Sequence, residues 1–398
     1  MATEPPTAQQ TAGAGGEARG FREAVRALGA ELEGAALEAE AERALPRRIV
    51  GLLREAGLFW LKTARELGGS ELDPLDFCDV LEEVAYLDAS AAWAVMVGNG
   101  ATGVVSGLLD DDGAAEVFGS PAGLPILAGQ FIPRGEAARV AGGYRISGRW
   151  SFCSGISHAD WAVGGVPSPE DGQPLIFCVP VAEVEVHDVW HAAGLQGTAS
   201  NDFSLADRFV PASRVVVGGA RRRGGRLFRQ PHRVFVGNEV PPVAVGVARR
   251  ALDDMAATAA ATARAWSAAP SLAERASFQE AVGRVDAVWA SARALYREAV
   301  EEAWTLADAA GVDAAAEAVF MSRTTLAVEL CIRCVAELFP YAGGRALALT
   351  NPLQRHYRNL LAAGQHVSIS DENFERTGAM LLGRRAAERP LSRPPPAP

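Results

Sequence analysis

The hydrophobic pattern of this chain changes its period twice, and the two changes limit the folds that it can adopt. Residues 20–125 place apolar side chains at steps of three and four, the spacing of one helix face. Residues 126–236 switch to short β-branched and aromatic runs separated by Gly, Pro, Asp and Ser, which is typical of antiparallel strands. Residues 237–385 return to long, alanine-rich helical patterns. We therefore predict an α+β protein with an N-terminal helical domain, a central antiparallel β domain and a C-terminal four-helix bundle.

Both ends of the chain and one tight turn can also be predicted. Residues 1–19 are polar and rich in Pro, Gly and Ala, without the basic start and apolar core of a signal peptide. Residues 386–398 are rich in proline. We expect both segments to be disordered tails. Gly142-Gly143 separates ARVA from YRIS and predicts a hairpin turn.

Charge and composition exclude some classes of function. The formal net charge is −10, whereas binding to nucleic-acid phosphates requires a basic face. The arginine-rich run RRRGGR, at 221–226, is therefore interpreted as a solvated loop after the β domain, with a contact to a reductase or an acidic ligand as the alternative. Hydrophobic residues make up 49% of the 398 positions, enough for a sizeable core.

One apolar segment and the spacing of the cysteines bear on two questions: whether the chain spans a membrane, and in which redox compartment it lies. Residues 89–109 carry no charge over the length of a membrane span, but they contain several glycines and Asn99 and are flanked by acidic residues. We prefer a buried helix pair to a membrane segment. The five cysteines are irregularly spaced, which favours a reducing cytoplasm over a disulfide framework. The pair Cys331 and Cys334 lies in a helical pattern, so buried thiols are a simpler interpretation than a zinc site.

The segment SGRWSFCSGISHADWAVGG, at 147–165, combines aromatic rings, hydroxyl groups and a histidine. Alternate residues of a strand point to the same face, so we expect Trp150, Phe152 and Ser154 to lie side by side. His158 is a candidate site residue, although it can also simply bond a turn. The alternative for the whole segment is an ordinary hairpin.

Four segments in combination resemble the acyl-CoA dehydrogenase superfamily over residues 22–384. Within it, they look most like the flavin-dependent two-component (group D) monooxygenases. The segments are LLREAGLFWLKTARELGG, YRISGRWSFCSGISHADW, GLQGTASNDFSLADRFVP and YAGGRALALTNPLQRHYRNLLAAGQHVSI. The resemblance implies reduced FMN or FAD as cofactor, O2 as co-substrate, a partner flavin reductase and a homotetramer. It also implies hydroxylation through a flavin C4a-hydroperoxide, in which one oxygen atom is transferred to an aromatic ring, an amine or a related small molecule.

Three departures favour the monooxygenases over the dehydrogenases. The Thr-Glu-Pro and Gly-Ser-Asp stretch of the dehydrogenases is replaced by GQFIPRGEAARVAGG. His366 stands where the resemblance places an active-site base in the hydroxylases. The usual Arg-Asp pair is Arg358-Asn359 here, so charge pairing by that aspartate is in doubt.

The resemblance also assigns roles around the flavin. Phe152 would lie against the isoalloxazine, with Trp150 in the same wall, and the Ser154 hydroxyl would bond flavin N5 and steady the oxygen-bearing flavin. His366 would take a proton from a substrate hydroxyl or amine, work that suits a side chain whose pKa lies near neutrality. A satisfied core histidine is the alternative for His366.

Further residues are assigned by the resemblance alone. Arg264 would reach the flavin phosphate, although an arginine near a helix end is usually a solvated cap. Gly343 and Gly344 would let the backbone approach a cofactor across a subunit contact. Thr198 would line the substrate side.

Two other functions remain open from the sequence. An acyl-CoA dehydrogenase or oxidase acting on a thioester would need a carboxylate base, and Glu239 and Glu372 are the nearby candidates. A non-catalytic helical assembly protein would keep the fold without binding flavin.

Overall fold

The structure, a computed structural model, describes residues 8–262, 271–309 and 311–383. Arg264 and the predicted tail 386–398 lie outside the described residues.

From residue 8 onward, where the structure describes the chain, six α-helices form the N-terminal region. They are α1 (Ala8–Ala27), α2 (Gly29–Glu42), α3 (Arg47–Glu55), α4 (Pro74–Leu87), α5 (Ala89–Leu108) and α6 (Asp111–Phe118). Helix α1 begins at Ala8, so the part of the predicted tail from residue 8 to 19 is helical. Helix α4 begins with Pro74, whose fixed φ and missing N–H suit the first helical turn.

Helix α5 is a single core helix and not the predicted pair of helices. Asp88 caps it, because its carboxylate accepts the Ala91 N–H at 2.7 Å. Its length and composition would allow it to cross a membrane, but 94% of the apolar window is buried within the fold. Four glycines bring other layers close to its backbone. A Cβ at Gly98 would come within 3.0 Å of Phe59, and a Cβ at Gly100 would come equally close to Glu239. At Gly103 the close neighbour would be Lys62, and at Gly107 it would be Phe228.

The central region is a sandwich of two four-stranded sheets. Its strands are β1 (Leu127–Pro133), β2 (Glu136–Val140), β3 (Gly143–Cys153), β4 (Trp161–Pro167), β5 (Pro174–Pro180), β6 (Glu185–His187), β7 (Asn201–Pro211) and β8 (Val215–Val217). The strand orders are β1-β4-β5-β8 and β2-β3-β7-β6. The prediction of an antiparallel domain is wrong at one pair, because β1 runs parallel to β4. The outer face of the first sheet packs against α5 and α6.

The predicted hairpin is present between β2 and β3. Its turn lies one residue earlier than predicted, since Val140 pairs with Gly143 and leaves Ala141 and Gly142 as the turn. Gly142 has a φ of +79°, a value that glycine adopts without the steric penalty of a side chain.

The C-terminal region is helical. Its helices are α7 (His232–Gly237), α8 (Val240–Ala259), α9 (Ala276–Asp308), α10 (Ala314–Ala342), α11 (Pro352–Ala363) and α12 (Glu372–Leu381). Helices α8, α9 and α10 pack on one another, and α11 packs on α8 and α10. One core joins these helices to α4 and α5. Cys331 and Cys334 are buried thiols of α10.

The arginine-rich run is not the solvated loop that the sequence suggested. Arg221 lies over the rings of Phe228 and Phe235. Arg223 donates to the Leu109 carbonyl at 2.6 Å and thereby caps the end of α5.

Candidate active site

The end of β3 turns Phe152 out of the sandwich. The register of β3 on β7 shifts between Trp150 and Cys153, and Phe152 has a φ of +62°. Such a bulge inserts an extra residue and breaks the alternation of faces. Trp150 is therefore fully buried, whereas Phe152 is 70% exposed. The prediction that Trp150 and Phe152 share a face is wrong for this reason.

Trp150 belongs to the sandwich core. Its ring stacks on Phe203 and meets Phe177 edge-on, each with centroids 5.0 Å apart. Its Nε1–H donates to the Gly165 carbonyl at 2.7 Å. We therefore leave Trp150 out of the candidate flavin wall and retain Phe152, which meets Trp190 edge-on at 6.3 Å.

Ser154 lies in a buried chain of hydrogen bonds. The indole Nε1–H of Trp93 donates to Ser154 Oγ at 3.2 Å. Ser154 Oγ is 2.6 Å from Ser200 Oγ, which is 2.7 Å from Thr198 Oγ1. Thr198 Oγ1 donates to the Leu195 carbonyl at 2.8 Å. The chain thus joins Ser154 to Thr198, a residue predicted to lie on the substrate side. The Thr198 side chain is fully buried and does not line an open surface.

His366 lies beside the same tryptophan. It follows α11, and its ring meets that of Trp93 edge-on, with centroids 5.5 Å apart and planes at 78°. Its Nδ1 is 2.7 Å from Ser368 Oγ. Burial lowers the pKa of His366 to about 4, so the ring is neutral near pH 7. Trp93 therefore contacts both Ser154 and His366.

His158 lies apart from this chain. It ends a short 3₁₀ turn, Ile156–His158, and its ring packs against Phe59 with centroids 5.9 Å apart. Burial, and then the charge of Arg54, lower the pKa of His158 to about 4. Among the described residues, no hydrogen bond joins His158 to Ser154 or to His366.

Helix α11 fixes the loop that ends the hydroxyl chain. The side-chain Oδ1 of Asn359 accepts the Leu195 N–H at 2.7 Å, so this asparagine anchors backbone where an aspartate was expected. A Cβ on Gly194 would lie 2.0 Å from the Arg358 carbonyl, which leaves room only for glycine. Leu195 and Ala199 both adopt left-handed backbone, with φ of +50° and +45°. Such conformations persist only where their surroundings hold them.

Gly343 and Gly344 close α10. Gly343 has a φ of +66°, and a Cβ on Gly344 would meet nothing within 4 Å. The backbone at Gly344 is therefore open to an approaching group, as the predicted cofactor contact requires, although that contact itself stays a prediction.

Glu239 is not placed as a thioester base. Its carboxylate is 2.5 Å from Lys62 Nζ, and the two side chains are 7% and 1% exposed. Burial raises the pKa of Glu239 to about 7 and lowers that of Lys62. The other candidate, Glu372, is an exposed residue that begins α12.

Sequence reasoning missed Trp93 and Ser200. Trp93 had one detectable signal, because a tryptophan in an apolar core helix needs a partner for its indole N–H. Ser200 had none beyond its place in GLQGTASND.

Comparison with known proteins agrees with this geometry. The acyl-CoA dehydrogenase N-terminal domain matches residues 16–116, and the acyl-CoA dehydrogenase C-terminal domain matches residues 240–371. The oxygenase component of the FADH(2)-dependent resorcinol hydroxylase of Rhizobium sp. (strain MTP-10005) is 30% identical over 383 residues. That alignment covers 87% of this chain and 89% of the relative. The chain belongs to the flavin-dependent monooxygenase branch of the acyl-CoA dehydrogenase superfamily.

Other relatives of this monooxygenase agree. The indole-3-acetate monooxygenase of Pseudomonas putida is 27% identical over 356 residues, which cover 87% of this chain and 90% of that protein. The structure of XiaF from Streptomyces sp., in complex with FADH2 and glycerol, superposes with a TM-score of 0.89 at 25% identity. The match covers 96% of this chain and 100% of XiaF. The HsaA monooxygenase of M. tuberculosis superposes with a TM-score of 0.83 at 25% identity, covering 92% and 98%.

The flavin-dependent activity predicted from the sequence is therefore confirmed, and the acyl-CoA dehydrogenase alternative is not supported. The described residues also fit a flavin. Phe152 presents an exposed ring, Ser154 carries a buried hydroxyl two residues further along the chain, and His366 is a neutral base candidate.

Proposed function

We propose that this monooxygenase hydroxylates an aromatic small molecule with O2, using reduced FMN or FAD that a separate flavin reductase delivers. Relatives named for resorcinol and indole-3-acetate support an aromatic substrate. When bound, reduced flavin supplies the two electrons with which one oxygen atom enters the substrate and the other leaves as water.

The contact of Trp93 with both Ser154 and His366 carries the proposal. The two residues are far apart in sequence and were assigned to the flavin and the substrate, respectively. Trp93 donates to Ser154 at 3.2 Å and meets His366 at 5.5 Å between ring centroids. A flavin held against Phe152 and Ser154 would thus lie near the histidine that handles the substrate proton.

In this proposal His366 accepts a proton from a substrate hydroxyl or amine. Ser368 holds the His366 ring in place, because its N–H donates to Nδ1 at 3.3 Å and its Oγ lies 2.7 Å from the same nitrogen. His158, on the Phe59 side, is proposed as a secondary site residue. Removal of the substrate proton makes an aromatic ring more electron-rich and more reactive toward an electrophilic oxygen.

The remaining assignments concern assembly. We propose that helices α8–α11 act as a four-helix bundle and that the active form is a homotetramer in the cytoplasm. Arg264 would then reach the flavin phosphate, and Gly343 and Gly344 would contact the cofactor across a subunit boundary. Thr198 supports the site from within the buried chain.

The test is isotopic. The protein is mixed anaerobically with photoreduced FMN or FAD and then with ¹⁸O₂ and a panel of phenols and indoles. We expect a product that carries one ¹⁸O atom and forms in proportion to the reduced flavin supplied.

Two results would overturn the proposal. One is production of hydrogen peroxide alone across the panel. The other is bleaching of bound oxidised FAD by an acyl thioester, which would restore the dehydrogenase alternative.

A further inference from the structure

The buried hydrogen-bond chain between Trp93 and Leu195 has ends of opposite character. The indole Nε1–H of Trp93 can only donate, and the Leu195 carbonyl can only accept. Three hydroxyl groups lie between them, on Ser154, Ser200 and Thr198. Each hydroxyl has one proton to donate, so the two ends determine the direction of every bond in the chain.

The protons can be assigned from the Leu195 end. Thr198 Oγ1 donates its proton to the Leu195 carbonyl at 2.8 Å. Its 2.7 Å contact with Ser200 Oγ therefore requires Ser200 to donate. Ser200 has then used its proton, so the 2.6 Å contact between Ser200 and Ser154 requires Ser154 to donate.

The opposite direction leaves a buried contact without a proton. If Thr198 donated to Ser200, its Oγ1 and the Leu195 carbonyl oxygen would face each other at 2.8 Å with no hydrogen between them. The Leu195 carbonyl cannot simply turn away, because the Trp190 Nε1–H and the Thr198 N–H also donate to it, at 3.0 Å and 3.2 Å. Thr198 and Ser200 are 0% and 4% exposed, so water does not replace the lost partner.

With the protons assigned in this direction, the Ser154 oxygen keeps one unused position for accepting a hydrogen bond. Its proton is directed to Ser200, and Trp93 occupies one of the two lone pairs of its oxygen. The second lone pair can accept a hydrogen bond from a group in the site. Ser154 is thus presented as an acceptor and not as a donor.

We infer that Trp93, Ser200 and Thr198 are positioning residues that hold Ser154 as a hydrogen-bond acceptor and thereby make the site prefer reduced flavin to oxidised flavin. Reduced flavin carries a hydrogen on N5 and can donate it to Ser154. Oxidised flavin has only a lone pair at N5, which would face the lone pair of Ser154. The inference rests on the proposed placement of flavin N5 at Ser154.

The preference suits an oxygenase whose flavin arrives reduced and leaves oxidised. A hydrogen-bond acceptor at N5 strengthens the binding of reduced flavin, which arrives, and weakens the binding of oxidised flavin, which leaves. A donor at the same position would do the reverse. The direction of three buried hydroxyl bonds thus biases flavin exchange.

The experiment measures two dissociation constants for each variant: reduced flavin by anaerobic titration, and oxidised flavin by fluorescence quenching. Thr198→Val removes the acceptor of the Ser200 proton, and Ser200→Ala removes the acceptor of the Ser154 proton. Either change frees Ser154 to donate to oxidised N5. The ratio of oxidised to reduced dissociation constants should fall about tenfold in each variant, the size of one hydrogen bond.

The potential of the bound flavin gives an independent readout. A tenfold fall in the ratio corresponds to a midpoint potential lower by about 30 mV for a two-electron couple. Ser154→Ala should also lower the ratio, but through weaker binding of reduced flavin. A merely structural role would weaken both forms together and leave the potential unchanged.

Thr324→Val is the matched control. Thr324 is also fully buried and donates to main-chain carbonyls, those of Phe320 at 3.1 Å and Met321 at 3.0 Å. It should leave the ratio at its original value. If the unmodified protein binds no flavin in either redox state, the proposed function fails. If flavin binds but Thr198→Val and Ser200→Ala both keep the original ratio, the inference is overturned and the proposed function stands.

Discussion

Two buried polar centres lie along α5: one is an ion pair whose cation is fully hydrogen-bonded, and the other is a neutral chain with one acceptor position unused. Near Gly100, Lys62 Nζ meets the Phe235 carbonyl, Asn238 Oδ1 and Glu239 Oε1, which use all three of its protons. Near Trp93, the neutral chain leaves one acceptor position of Ser154 unused. The charged centre joins distant segments of the fold, whereas the neutral centre is the one that we propose binds a ligand.

The largest expected effect comes from breaking the charged centre. Lys62→Met leaves the Glu239 carboxylate buried without its cation and should cost about 3–5 kcal/mol in the free energy of unfolding. Chemical denaturation measures this loss. Lys62→Met combined with Glu239→Leu should recover most of it, and a single variant as stable as the original would contradict the assigned role of the pair.

Loss of the base at the neutral centre should affect chemistry and leave the fold intact. His366→Gln should lower the rate of product formation by about 10²–10⁴-fold, the usual contribution of a positioned acid or base. Oxygen consumption should continue and yield hydrogen peroxide. Product and peroxide are quantified together, and His191→Gln, at an exposed histidine, is the control. A proportional loss of both products would argue against a base.

Trp93 allows the ring contact and the hydrogen bond to be separated. Trp93→Phe keeps an aromatic edge toward His366 but removes the N–H, and should cost about 1 kcal/mol in stability. Trp93→Ala also empties a buried volume and should cost about 3–5 kcal/mol. Thermal melts of the two variants measure the difference. Equal losses would mean that the N–H to Ser154 dominates over packing.

Acid should weaken the neutral centre through His366. Because its folded pKa is about 4 and its ordinary value is 6.5, the unfolded chain binds the extra proton between these limits. Stability due to this residue is therefore lost as the pH falls from 6.5 to 4. Asp88 and Glu239, with raised pKa values of about 6 and about 7, act in the opposite direction. Denaturation midpoints from pH 7.5 to 5 should fall less in His366→Gln than in the unmodified protein, and parallel curves would contradict this account.

The smallest effect is expected for an exposed ion pair. Arg19 and Glu23 lie 2.9 Å apart on α1, with side chains 80% and 57% exposed. Glu23→Gln should change the free energy of unfolding by less than about 0.5 kcal/mol. A loss comparable to that of Lys62→Met would show that burial is not what separates the two kinds of pair.

The sequence predicted those features of the fold that depend on local hydrophobic periodicity. The helical zones, the β zone and the β2–β3 hairpin follow from local spacing and turn chemistry, and the family followed from motifs. The bulge at Phe152 was not predictable, because a positive φ at a phenylalanine is imposed by the pairing of β3 with β7.

The candidate site was predicted only in part for a related reason. Ser154 and His366 were identified by resemblance, but their meeting at Trp93 depends on how α5 packs against the segments that follow β3 and α11. The arginine-rich run was misjudged because aromatic rings and helix carbonyls that bind Arg221 and Arg223 come from elsewhere in the chain.

The glycine-lined face of α5 makes this helix hard to stabilise by substitution. Alanine is about 1 kcal/mol better than glycine in a helix interior, so Gly→Ala is a common route to thermostable variants. At Gly107 the added methyl would come 2.5 Å from the Phe228 ring, and at Gly100 it would come 2.8 Å from the Glu239 carboxylate. Substitutions intended to raise thermostability should therefore avoid α5 and be placed on the outer faces of α9 and α10.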